Sequence, residues 1–196
     1  GSSPAIIRLE PWNLLMQPVE VRAIRAAENA PFAKTNIDKK DIEALNLGQD
    51  LPFLLNQTPS VVVNADAGNG IGYTGIRIRG TDATRINMTI NGIPYNDAES
   101  QGIFFVNLPD LASSTSSIQV QRGVGTSTNG GGAFGATLNF STNETNTSPY
   151  AEINNSAGSF GTFKNTLKAG TGLLNDRFTL DMRLSNIQSD GYIERA

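Results

Sequence analysis

The sequence predicts an α+β fold: a small domain with a mixed β-sheet and short helices, followed by a set of longer antiparallel strands. Three observations lead there. Short runs alternate with period two, as in Ile76-Arg77-Ile78 and in Ile86, Met88 and Ile90 around Asn87 and Thr89, which marks strands with one buried face. Two brief helical patterns lie between residues 38 and 59. Beyond Ser141 helical patterning stops, and only longer alternating runs remain.

Taken in order, Gly1-Ser2-Ser3 reads as a vector remnant. Residues 4–17 read as the end of an upstream segment, with Ala5-Ile6-Ile7 as its last strand. Pro18 introduces an extended stretch, Val19, Glu20, Val21, Arg22, Ala23 and Ile24, which is either an edge strand of the same sheet or a strand offered to a partner. Residues 34–37 form a strand. Asp38 caps a helix that runs through Ile42 and Leu45 to a stop at Gly48. Asp50 caps a second helix, with Pro52 in its first turn, ended by Pro59. Val61-Val62-Val63 is a buried strand, and residues 65–72 are a glycine-rich loop.

Asn91-Gly92 is the pair that tolerates positive φ at both centres of a type I′ turn, so it predicts a hairpin tip. Residues 95–107 form a polar-aromatic loop, 108–111 a helical turn, 118–122 a strand and 136–140 another. Residues 143–149 are a polar linker. Phe163, Asn165, Leu167 and Ala169 then alternate with Lys164, Thr166 and Lys168, and Phe178, Leu180, Met182 and Leu184 alternate with Thr179, Asp181, Arg183 and Ser185. Residues 150–157 give a weaker third run. Runs of about nine to eleven residues with one apolar and one charged face fit transmembrane barrel strands, and a soluble sandwich edge alternates equally well. Three strands cannot close a barrel, so their edges stay unpaired.

Composition removes several functions. The chain has no cysteine and no histidine, which excludes disulfides, thiol nucleophiles, Ser-His triads and most transition-metal sites. A net charge of −3 without a basic stripe disfavours nucleic acid. No apolar run reaches the length of a membrane-spanning helix. Residues 123–132 have the glycine content of a phosphate cradle but lack the Lys-Ser/Thr ending and the helix that follows it. Asp97 and Glu99 are either a carboxylate pair or solvated loop acids. Two strand-ending Arg-Gly pairs, Arg79-Gly80 and Arg122-Gly123, are either solvated arginines at turns or two cations aimed the same way.

Together these residues resemble the plug domain of a TonB-dependent outer-membrane receptor, of a Bacteroidetes type similar to ferric-citrate and siderophore receptors. The likeness spans residues 18–141. Residues 19–24 resemble the TonB box and its flank. The stretch D-I-E-A-L-N-L-G-Q-D-L-P-F-L-L-N-Q-T-P, residues 41–59, resembles the family's paired helices, with Ser60 where glycine is usual. I-R-I-R-G (76–80) resembles its Arg-Gly motif, and I-N-G-I-P (90–94) its hairpin, with Asn91 for aspartate. Residues 118–123 with 131–140 resemble its closing phrase, with Gln119 for glutamate and Val124 for proline.

The resemblance implies a division into a TonB-box-like segment and linker (18–33), a plug (34–142), a linker (143–149) and the first strands of a truncated transmembrane β-barrel (150–196). A barrel of about 22 strands would surround the plug. Arg79 and Arg122 would latch it to glutamates on the inner wall, because a desolvated arginine–carboxylate pair is strong yet breakable. Residues 19–24 would add a strand to TonB, energised by ExbB and ExbD. Asn69, Tyr73, Tyr95, Asp97, Gln101 and Phe104 would face a small solute such as a ferric chelate. The implied protein lies in the outer membrane with a periplasmic N-terminus, uses no cofactor and is not an enzyme. The residues by themselves also allow a soluble β-rich binding or adhesion module, or a hydrolase built on Asp97 and Glu99.

Overall fold

A computed structural model of the chain describes residues 25–27, 29–126, 132–142, 145–175 and 177–194. Among them are β1 (Lys34–Asp38), α1 (Lys39–Leu45), α2 (Leu51–Leu54), β2 (Val61–Ala65), β3 (Thr74–Ile78), β4 (Ile86–Ile90), β5 (Ile93–Pro94), β6 (Ser117–Arg122) and β7 (Ala136–Ser141). Three longer strands follow: β8 (Tyr150–Gly158), β9 (Thr162–Gly170) and β10 (Asp181–Gln188).

Strands β1, β6, β7, β4 and β5 form one sheet in that order. It is antiparallel except at its centre, where β4 runs parallel to β7, with Ile86 beside Ala136 and Ile90 beside Phe140. Strands β2 and β3 form a separate hairpin. Alternation decides what each strand buries. Ile118 and Val120 of β6, Leu138 and Phe140 of β7, and Ile86 and Met88 of β4 enter one core with Ile42, Leu55, Ile76, Ile78 and Phe105. Burying a side chain of this size contributes about 1.5–3 kcal/mol, so this face carries the stability of the α+β body.

The opposite face of β6 and β7 is polar and still buried, at Gln119, Gln121, Thr137 and Asn139. Residues 25–27 lie across it as a strap. Ala26 N–H donates to Gln119 Oε1 at 2.7 Å, and Gln119 Nε2 returns a bond to the Ala26 carbonyl at 3.2 Å. Arg25 donates to Ser117 Oγ at 2.9 Å.

The turns agree with the residues placed there. Asn91 and Gly92 both take positive φ, 51° and 84°, at the tip joining β4 to β5. Ser60 also has a positive φ of 68°, a backbone state natural to glycine. The helices are shorter than the sequence suggests: α1 stops at Leu45 before Gly48, and α2 stops at Leu54 before Pro59. Neither Asp38 nor Asp50 caps its helix with its side chain. The Asp50 carboxylate instead accepts from Thr74 Oγ1 at 3.0 Å, drawn across to β3. The helical turn expected at 108–111 falls at Leu111–Ser114.

Strands β10, β9 and β8 form a three-stranded sheet in that order. β10 begins at Asp181, because Phe178 is engaged in a bridge with Leu174. Ile153, Leu167 and Leu184 stand in register on one face, and all are exposed. Lys164 and Thr166, on the other face, are buried against the α+β body. No helix of the described residues is long and apolar enough to cross a membrane.

Candidate functional site

Arg79 directly follows β3 and Arg122 ends β6, and the fold brings these two ends together. Arg79 Nη1 lies 2.7 Å from where a Cβ would stand on Gly123. Any side chain there would strike the guanidinium, and Gly123 also holds a φ of +94°. Arg79 itself takes φ 53°, anchored by its N–H to the Ser60 carbonyl at 2.9 Å. Arg122 Nη1 donates to the Pro59 carbonyl at 3.2 Å, while its buried Nε has no partner among the described residues. Among the described residues neither arginine has a carboxylate within ion-pair distance. The two cations therefore form a joint positive corner with unspent hydrogen-bonding capacity.

The other sequence-chosen residues fall in two separate places. Tyr95, Asp97, Gln101 and Phe104 share one loop. Tyr95 Oη donates to the Phe104 carbonyl at 3.3 Å. Asp97 folds the loop on itself, accepting from Ser100 N–H and Oγ, each at 2.7 Å, and from Glu99 N–H. These hydrogen bonds, led by those from Ser100, hold its carboxyl below the usual range. Asp97 is thus a turn-former, and no group of acids among the described residues is arranged to hold a metal. Asn69 and Tyr73 lie at the tip joining β2 to β3. Asn69 Nδ2 donates to Ser189 Oγ at 2.6 Å, and Tyr73 is exposed. No hydrogen bond among the described residues links the two loops. The segment 19–24 lies outside the described residues.

Sequence reasoning passed over Asp110. This residue starts the turn before β6 in a left-handed conformation, φ 51°, and its side chain is 2% exposed. Lys164 Nζ, equally buried, reaches its Oδ1 at 2.7 Å, and Ser113 Oγ donates to the same oxygen at 2.6 Å. Its Oδ2 accepts from Arg183 Nη1 at 3.0 Å, from Thr166 Oγ1 at 3.2 Å and from Ser185 Oγ. Burial alone would push this carboxyl up, but the bonds from Lys164, Ser113 and Ser185 outweigh it and leave it below its ordinary value. Lys164 also donates to Asn46 at the end of α1, and Ser156 Oγ donates to the Leu47 carbonyl. A polar cleft of about 240 Å³ opens beside Lys164, bounded by Glu43, Ser113, Glu152 and Lys168. The sequence signal was weak: a lone acid between Pro109 and Leu111, and two cations, Lys164 and Arg183, on the polar side of later alternating runs.

A small mixed-sheet body is thus seated on the polar face of three strands whose other face is apolar. Residues 26–137 match the TonB-dependent Receptor Plug Domain family, and the chain belongs to that family. No curated protein matches the sequence. Among solved structures, the chain is similar to the alcaligin outer-membrane receptor FauA from Bordetella pertussis, with a TM-score of 0.66 at 20% identity over 83% of this chain and 27% of that one. The ferric yersiniabactin uptake receptor FyuA from Yersinia pestis gives 0.63 at 14% over 82% and 25%. The pyoverdine outer-membrane receptor FpvA from Pseudomonas aeruginosa gives 0.62 at 15% over 84% and 23%. The chain thus spans about a quarter of the length of these receptors.

Proposed function

We propose that this chain is the plug, with the first wall strands, of an outer-membrane active transporter that takes up a scarce solute, a ferric siderophore or similar metal chelate. Residues 34–142 form the plug and 150–196 open the wall, joined by 143–149. The carrying observation is the sense of the three-stranded sheet. Its polar face seats the α+β body, and its apolar face, with Ile153 70% exposed, is offered outward where lipid would cover it. The named binding of alcaligin, yersiniabactin and pyoverdine receptors supports a chelate as solute.

In this reading the plug gates a channel and does no chemistry on its cargo. Arg79 and Arg122 present two guanidinium groups from one corner and pair with acids elsewhere on the wall, the geometry a releasable latch requires. Asn69, Tyr73, Tyr95, Asp97, Gln101 and Phe104 meet the solute from two loops. Residues 19–24 lie in the periplasm and are taken as an added strand by TonB, driven by ExbB and ExbD. The strap at 25–27, hydrogen-bonded to Gln119 and Ser117, is the first part of the described fold such a pull would load.

The test is uptake of radiolabelled ferric chelates by cells expressing the full-length gene, with and without residues 19–24. The expected result is uptake by the parent and solute binding without uptake by the deletion. Unchanged uptake after the deletion overturns the coupling, and no chelate uptake by the parent overturns the solute class.

A further inference from the structure

The contact between Asp110 and the three-stranded sheet plays no part in the latch proposed above, and it has the geometry of a built socket. Thr166 of β9 and Ser185 of β10 stand directly opposite each other in the sheet register. Lys164 and Arg183 lie two residues away, one on each strand, so the period of two puts all four donors on one face. The backbone alone therefore pre-sets a carboxylate-sized patch of two cations and two hydroxyls. Asp110 fills it completely. Both carboxylate oxygens are multiply bonded, and the Asp110 carbonyl accepts Arg183 Nη1 as well, at 2.5 Å. From behind, the aspartate is fixed by the turn Leu111–Ser114 and its own Ser113.

The contrast with the arginine corner is direct. Arg79 and Arg122 carry no counter-charge within the described residues, whereas Asp110 is fully satisfied. A group that must let go is served by one or two partners. A group with six donated bonds from two structural units is served by staying. We propose that Asp110 is a fixed dock, which stays seated on β9 and β10 while solute passes, so that the plug yields elsewhere and does not leave these strands. The proposal rests on the plug reading and adds which point of the plug does not move.

The experiment uses the full-length receptor carrying Asp110→Cys with Ser185→Cys; the chain here has no cysteine of its own. With the thiols reduced the ionic contact is gone, and conductance through receptors in planar bilayers is expected to rise about tenfold or more over the parent. Oxidation to the disulfide is expected to restore the seal, and oxidised cells to take up radiolabelled ferric citrate at the parent rate. Sealed receptors that stop uptake when oxidised and regain it with dithiothreitol would show that the contact has to open, and would overturn the dock. So would a reduced receptor no leakier than the parent. If the parent carries no ferric citrate, the choice of solute is at fault, and the oxidised-against-reduced conductance alone decides the dock. Should the double variant fail to assemble, Asp110→Asn keeps the side-chain shape. It is expected to leak, and parent-level conductance from it overturns the proposal.

Discussion

The five-stranded and three-stranded sheets share a chain and a contact surface, yet sort their side chains in opposite senses. The first turns Ile118, Leu138 and Phe140 inward, as any water-soluble core does. The second turns Ile153, Leu167 and Leu184 outward and keeps Lys164 and Thr166 in the dry. Hydrophobic burial holds the α+β body together, while charge and hydrogen bonding hold it to its neighbour. The lesson is that alternation fixes which residues share a face, but the surroundings fix which face is buried.

Breaking that division should have graded effects. The largest is at the contact. Asp110→Ala leaves Lys164 buried without a counter-charge and is expected to cost about 3–5 kcal/mol of docking, read as earlier exposure of the three strands in urea by hydrogen exchange. Next comes the core: Leu138→Ala is expected to cost about 2–5 kcal/mol by equilibrium denaturation, whereas Leu184→Ala on the outward face should change stability in water by less than about 0.5 kcal/mol. Equal costs at the two positions would erase the contrast.

Acid sharpens it further. Asp110 has a depressed pKa, so its stabilisation is present above the ordinary carboxylate range and is lost as pH falls through the lower, folded value. Asp50 behaves oppositely. Burial raises it despite bonds from Thr74 and Gly72, so the fold gains as this group protonates and loses that gain as pH rises through the raised value. Docking followed by hydrogen exchange should hold from neutrality to about pH 5 and fail only below about pH 4. The Asp50→Asn variant is expected to be slightly more stable than the parent at neutral pH. The smallest effect concerns Arg79, whose positive φ suits glycine. Arg79→Gly is expected to shift thermal stability by less than about 0.5 kcal/mol, strain relief offsetting chain entropy. A large loss would make Arg79 a structural residue and not a spare cation.

Much of this was legible in the chain. The alternation at Ile86, Met88 and Ile90 gave β4, Asn91-Gly92 gave its tip, and the two Arg-Gly pairs marked strand ends that the fold does bring together. The cap at Asp50 misled because Asp50 found a better donor in Thr74, a contact between residues distant in sequence. Asp110 escaped for the same reason. Four of its donors come from residues 164–185, and no local pattern announces a pairing across such a span. The sequence also leaves the inner and outer faces of β8 to β10 undecided until something is seen resting on one of them.

The parallel pairing of β4 with β7 has a consequence for how such a protein is made. Residues 86–90 wait for residues 136–140 before the middle of the sheet exists. Closing so wide a loop is slow compared with forming a hairpin. A chain emerging N-terminus first is therefore obliged to travel with its isoleucines unsheltered until Ser141 arrives, and the three-stranded sheet begins at Tyr150, close behind. The α+β body and the first strand of the sheet it rests on become foldable almost together, which favours their docking as they form.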